Sequence, residues 1–131
     1  MEELEETFLA FMAKGFDFLI PLSWVRDIQG FESVKDDYPA LYWEELLGKI
    51  PEEQQDSYLI FLTHKNMTFS VAATEVSGLR QIQKDFVLEL KKPVRTPKNL
   101  FLKAAVAHDD GRLVFILDPF ILLQYVERDA G

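Results

Sequence analysis

Residues 57–83 read SYLIFLTHKNMTFSVAATEVSGLRQIQ. Tyr58 to Leu62 is an unbroken apolar run, short enough for a buried strand. Lys65-Asn66 follows, and Asn tolerates the positive φ of a tight hairpin turn. Met67, Phe69, Val71 and Ala73 then alternate with Thr68, Ser70 and Ala72, the period of a strand with one buried face. Val76, Leu79 and Ile82 carry the apolar set past Gly78. The stretch predicts a hairpin whose second strand runs on through a bend at Ser77-Gly78.

The same pattern stands 51 residues earlier without a gap. Phe8 falls on Leu59, Phe11 on Leu62, Lys14 on Lys65 and Gly15 on Asn66. Phe18 falls on Phe69, Ile20 on Val71, Leu22 on Ala73, Val25 on Val76 and Ile28 on Leu79. Gly15, like Asn66, suits a left-handed turn position. A second echo lies at an offset of 75, where LYWEELL (41–47) matches ILDPFIL (116–122). Constant offsets with aligned turns indicate two copies of one β unit. The copies are unequal: residues 29–40 separate Ile28 from Leu41, whereas 80–115 separate Leu79 from Ile116. The first copy is shorter by about 24 residues, room for two strands of roughly 5–6 residues.

Composition narrows the classes. A chain of 131 residues, 48% hydrophobic and 13% aromatic, can fill a core and lacks the signature of disorder. A net charge of −8 argues against a general nucleic-acid binder. The absence of cysteine excludes a disulfide framework, a thiolate nucleophile and a cysteine metal site, and suits a reducing cytoplasm. The start, MEELEE, is acidic where a secretory signal is basic, and no apolar run approaches a membrane span.

Along the chain, 8–12 and 16–22 form the first hairpin and 24–31 a third strand. Pro21 belongs at an edge or bulge. Glu44 to Gly48 suits one helical turn, and Lys49 to Asp56 reads as a linker. Phe86, Leu88 and Leu90 alternate within 85–92, and Leu100 to Ala107 suits a strand. Asp109-Asp110-Gly111 marks a turn, and Leu113 to Asp118 a buried strand. Pro119 to Arg128 reads as a helix capped by Asp118, with Phe120, Leu123 and Val126 spaced by three.

Catalytic patterns are missing. His64 and His108 sit beside turns as exposed histidines, with no metal-ligand spacing. Asp36-Asp37, Glu44-Glu45 and Asp109-Asp110 are sequence neighbours, which on a strand face opposite ways. Neither a phosphate loop nor a nucleophile elbow occurs. No cofactor, metal or catalysis is expected. Trp24, Phe31, Trp43 and Tyr125 stand at element ends, where aromatics also anchor interfaces.

Four segments, FLIPLSWVRDIQGF (18–31), YPALYWEELLG (38–48), FSVAATEVSGLRQI (69–82) and GRLVFILDPFILL (111–123), resemble in order and spacing the segments of CheW-like domains, the coupling modules of bacterial chemotaxis. The family's Asn-Leu-Arg-Gly turn falls in the 24-residue gap, and Thr74 stands where the family has Asp. The resemblance implies a mainly β fold of two small SH3-like barrel lobes with a short C-terminal helix. Residues 1–131 would be one CheW-like domain, with 7–48 the shortened first lobe and 57–128 the second lobe with its helix. It implies a cytoplasmic, non-catalytic adaptor. The partners implied are the regulatory domain of a CheA-type histidine kinase and a chemoreceptor cytoplasmic hairpin, with no nucleic acid and no membrane insertion. The partner-binding residues expected are Val25, Asp27, Ile28 and Phe31, with Asp27 the polar member. Two alternatives stay open at this point: a regulatory module that binds a non-chemotaxis partner or a small ligand between the lobes, and a subunit that works only within an oligomer or larger complex.

Overall fold

The computed structural model describes residues 5–30, 38–41, 57–90, 101–107 and 110–130. The helical turn expected at 44–48, the linker 49–56, and Phe31, Trp43 and His108 lie outside them.

Both hairpins form where period-2 patterning places them. Strands β1 (Glu5–Ala13) and β2 (Phe16–Pro21) make the first, and β5 (Tyr58–His64) and β6 (Met67–Ala73) the second. Their registers agree residue for residue at the 51-residue offset. Leu9 opposes Ile20 as Ile60 opposes Val71, and Phe11 opposes Phe18 as Leu62 opposes Phe69. In each turn the lysine takes the left-handed conformation, Lys14 at φ 52° and Lys65 at φ 55°. Gly15 follows at φ 81°. A two-residue turn with positive φ carries the twist that antiparallel strands need, so the turn fixes the register.

The third strand of each copy then leaves its own hairpin. A 3-10 turn, Leu22–Trp24, redirects the chain from β2 into β3 (Val25–Gly30), which pairs with β5. Reciprocally, the chain bends at Thr74 into β7 (Glu75–Gln83), which pairs with β1. Ile28 opposes Ile60 as Leu79 opposes Leu9, and Asp27 opposes Phe61 as Gly78 opposes Ala10. Even the bulges correspond, with Arg26 and Ser77 skipped in the two ladders. The expected bend at Ser77-Gly78 is therefore this bulge, with Gly78 at φ 118°, and the change of direction comes earlier, at Thr74.

The strands downstream of each third strand stay in its new sheet. After β7, a 3-10 turn (Lys84–Phe86), β8 (Leu88–Glu89), β9 (Leu102–Ala107) and β10 (Leu113–Leu117) complete a sheet in the order β7-β1-β2-β10-β9-β8. After β3 only β4 (Ala40–Leu41) appears among the described residues, giving β3-β5-β6-β4. Sheet membership thus cuts across the segments 7–48 and 57–128. The shortfall of the first copy falls on the sheet built around the second hairpin. β10 lies parallel on β2, and β4 parallel on β6. Leu41 pairs with Val71, the copy of Ile20, so its counterpart is Leu117 and not Ile116, one residue from the expected offset.

The two hairpins share one core. Leu9, Phe11, Phe18 and Ile20 pack with Ile60, Leu62, Phe69 and Val71 in a single apolar cluster. A second cluster, including Phe8, Ala10, Leu19, Ile82, Val106 and Ile116, fills the inner face of the six-stranded sheet. Helix α1 (Pro119–Ala130) starts as expected: Phe120 N–H donates to Asp118 Oδ1 at 3.1 Å, and Leu122 N–H to the Asp118 carbonyl at 3.2 Å. Leu122, Leu123 and Val126 enter the shared core and the helix packs on β4, while Phe120 stays largely exposed.

Candidate interaction surface

Among the described residues, β3 is an outer strand of the four-stranded sheet. The hairpin turn decides which of its backbone groups are used. His64 and Met67 close the two-residue turn, so alternate residues of β5 (64, 62, 60) bond toward β6 and the others (61, 59) toward β3. Ile28 opposes Ile60. Its N–H and C=O therefore point away from β5, off the edge of the sheet, whereas Asp27 and Gln29 bond inward.

This geometry also sets the side chains. Val25 is half-buried against the shared core. Ile28 is 36% exposed on the face it shares with Ile60. Asp27 is exposed and held in place: Ile28 N–H donates to Oδ1 at 2.8 Å and Gln29 Nε2 to Oδ2 at 2.9 Å. These donors, Gln29 first and the Ile28 amide next, hold the carboxyl below the usual aspartate range against a small desolvation effect, and Arg26 adds to them. Asp27 is a fixed negative charge on the strand edge. Its neighbour Arg26 turns out at the bulge and donates to Tyr38 Oη at 3.2 Å, with the guanidinium carbon 5.5 Å from the ring centre. The Tyr38 ring meets Phe61 edge-on at 6.1 Å. The structure thus brings Val25, Asp27 and Ile28 together on one edge strand; Phe31 lies outside the described residues.

Three features were not expected. Gln29 orients the carboxylate, and its position two residues from Asp27, on the same strand face, is the signal that would find it. Leu79, the repeat counterpart of Ile28, is 61% exposed on the matching edge strand β7. Trp24, His64 and Phe120 form an aromatic cluster. The Trp24 and His64 rings stack at 4.5 Å, and Phe120 meets them edge-on at 4.8 and 5.0 Å. The expectation of an exposed turn histidine is corrected: His64 ends β5 and lies half-buried against Trp24. Trp24 is itself 8% exposed and so mainly a core residue. Among the described residues, no group of His, Asp or Glu side chains could hold a metal ion, and no helix is long and apolar enough to cross a membrane.

Comparison with solved structures finds the same fold in the scaffolding protein TtCheW from Thermoanaerobacter tengcongensis, with a TM-score of 0.67 at 12% identity. That match covers 86% of this chain and 88% of TtCheW. Comparison with curated proteins gives no match. A model of the CheW-like domain, the non-catalytic scaffold of chemotaxis coupling, matches residues 36–127, from just before β4 into α1, and the chain belongs to that family.

Proposed function

We propose that this protein acts in the cytoplasm as an adaptor that joins the regulatory domain of a CheA-type histidine kinase to a chemoreceptor hairpin or a related complex. The contact is assigned to Val25, Asp27 and Ile28 of β3, together with Phe31, which follows β3 in sequence. The observation that supports it most is the pairing, on one outer strand of a scaffold fold, of a half-exposed apolar side chain with a hydrogen-bonded carboxylate. Ile28 supplies area that becomes dry on docking. Asp27, already ordered, lets a partner cation pair with little further loss of side-chain freedom. Docking of this kind gains specificity and encounter rate from the charge and affinity from the apolar contact.

The test is a titration of the kinase regulatory domain against the wild-type protein and Asp27→Arg. The charge reversal is expected to weaken binding, while the thermal midpoint moves by no more than an exposed substitution allows, about ±0.5 kcal/mol. Equal affinity of the folded variant removes Asp27 from the contact. Absence of wild-type binding removes the kinase.

A further inference from the structure

We propose that Asp27 is an edge guard, closing the outer edge of β3 against strand addition by a second copy of this chain. The inference concerns this chain alone and does not depend on the kinase. An outer strand exposes a row of outward N–H and C=O groups that template another strand. By the same alternation Ile28 and Gly30 both point outward from β3; the Ile28 amide, in the middle of the edge, is occupied by its neighbour's carboxylate at 2.8 Å. Gln29 holds the other carboxylate oxygen at 2.9 Å, so the guard cannot swing freely away. A strand arriving here must displace an ionised acceptor from its donor, and it must do so beside a charge. The apolar half-exposed Ile28 makes the edge attractive without that guard.

The other copy differs at this place. At the matching place in β7 stands Gly78, which has no side chain to serve as guard. Gly78 faces open space and its neighbour Leu79 is 61% exposed, so β7 is approached by the rest of its sheet only further along the strand. A groove of about 650 Å³ beside it is lined by Gln81, Ile82 and Gln83 on one side and by Phe86, Leu88 and Val106 on the other. Those walls come from the 3-10 turn, β8 and β9. In the four-stranded sheet no counterparts of β8 and β9 occur among the described residues. On β3 a local carboxylate occupies an outward amide, and Gly78 of β7 has no side chain to do the same. The second copy is the occupant excluded because an antiparallel β3–β3 pairing about a two-fold axis is self-complementary and needs no further partner.

The experiment compares wild type, Asp27→Ala and Asp27→Asn by light scattering over a concentration series, with hydrogen exchange at the Ile28 amide. Asp27→Ala is expected to rise toward roughly twice the monomer mass as concentration increases, with the Ile28 amide becoming protected in step. Asp27→Asn keeps a side-chain oxygen for that amide and is expected to stay monomeric like the wild type. A folded Asp27→Ala protein that remains monomeric overturns the proposal. So does association without protection at Ile28, which would place the contact elsewhere. Association of Asp27→Asn equal to that of Asp27→Ala would show that charge and not capping keeps copies apart. An unfolded Asp27→Ala protein would make the carboxylate a structural group and overturn the guard as well.

Discussion

The two hairpins have the same register and two-residue turns that each begin with a left-handed lysine, yet one anchors six described strands and the other four. Their interiors diverge accordingly. Leu19, in the six-stranded sheet, lies in the second core cluster with Ile116 and Val106. Its counterpart Ser70 is 1% exposed, and its hydroxyl has no hydrogen-bond partner. By contrast, the faces that the hairpins turn toward each other are equally apolar, with Phe18 and Phe69 1% and 0% exposed. The repeat has kept what joins the two hairpins and changed what lies behind them. In the smaller sheet, helix α1 supplies cover through Leu122, Leu123 and Val126.

The largest test of that equivalence is truncation at the shared core. Phe18→Ala and Phe69→Ala should each cost about 3–5 kcal/mol, a large part of a stability of about 5–15 kcal/mol. Both melting temperatures should fall sharply and by similar amounts. A loss at one position only would show that the hairpins are not held as one cooperative core.

Hydrogen exchange probes the difference and not the likeness. The inward amides of β3, Asp27 and Gln29, should exchange faster than their β7 counterparts Gly78 and Arg80, on the order of tenfold for each 1.4 kcal/mol of opening free energy. Asp27 and Gln29 lie in a sheet of four described strands, Gly78 and Arg80 in one of six. Kinase binding should slow the β3 amides selectively. Equal protection in the free protein would mean that the smaller sheet is as tightly closed as the larger.

These contrasts also show which parts of the fold can be read from residue order. Hairpin register is legible because it is local: alternation sets the face and Lys-Gly or Lys-Asn sets the turn. The helix is legible for the same reason, since Asp118-Pro119 carries its own start signal. Third-strand exchange is not legible. Val25 and Ile28 alternate in the same way whichever hairpin they join, and the choice is made by contacts distant in sequence. That is why residue order places the short segment in the first lobe although the smaller number of described strands falls to the sheet of β5 and β6. Asp27 stands out as a polar residue between apolar ones. Its hydrogen bonds do not, because they depend on Ile28 pointing off the edge. His64 reads as exposed for a similar reason, since the Trp24 that covers it arrives from 40 positions away in the chain.

A smaller effect is expected at the helix that covers the short sheet. Asp118→Ala removes the side-chain acceptor of the Phe120 amide. Loss of an N-cap costs about 0.5–2 kcal/mol. Thermal denaturation should show a drop of that size, and Asp118→Ser, which can still cap, should recover most of it. No drop would mean that packing of Leu122 and Val126 alone sets the helix start.

The smallest effect should have the opposite sign. Ser70 puts a hydroxyl where the other hairpin has Leu19, and in doing so leaves a buried donor unpaired. An unsatisfied buried polar group costs about 1–3 kcal/mol, whereas an apolar replacement of similar shape can be neutral or stabilising. Ser70→Ala removes only the hydroxyl and keeps the strand backbone, including the Ser70 N–H bond to the Pro39 carbonyl at 2.9 Å. It should raise stability by up to about 1 kcal/mol in a denaturation experiment with an unchanged denaturant slope. Ser70→Leu, which copies the other hairpin outright, should do worse than Ser70→Ala, because Ser70 is already 1% exposed and overpacking costs about 1–3 kcal/mol. If leucine stabilises more than alanine, the interior behind the second hairpin has room for the larger side chain. A destabilised Ser70→Ala protein would show that the hydroxyl is paired in solution.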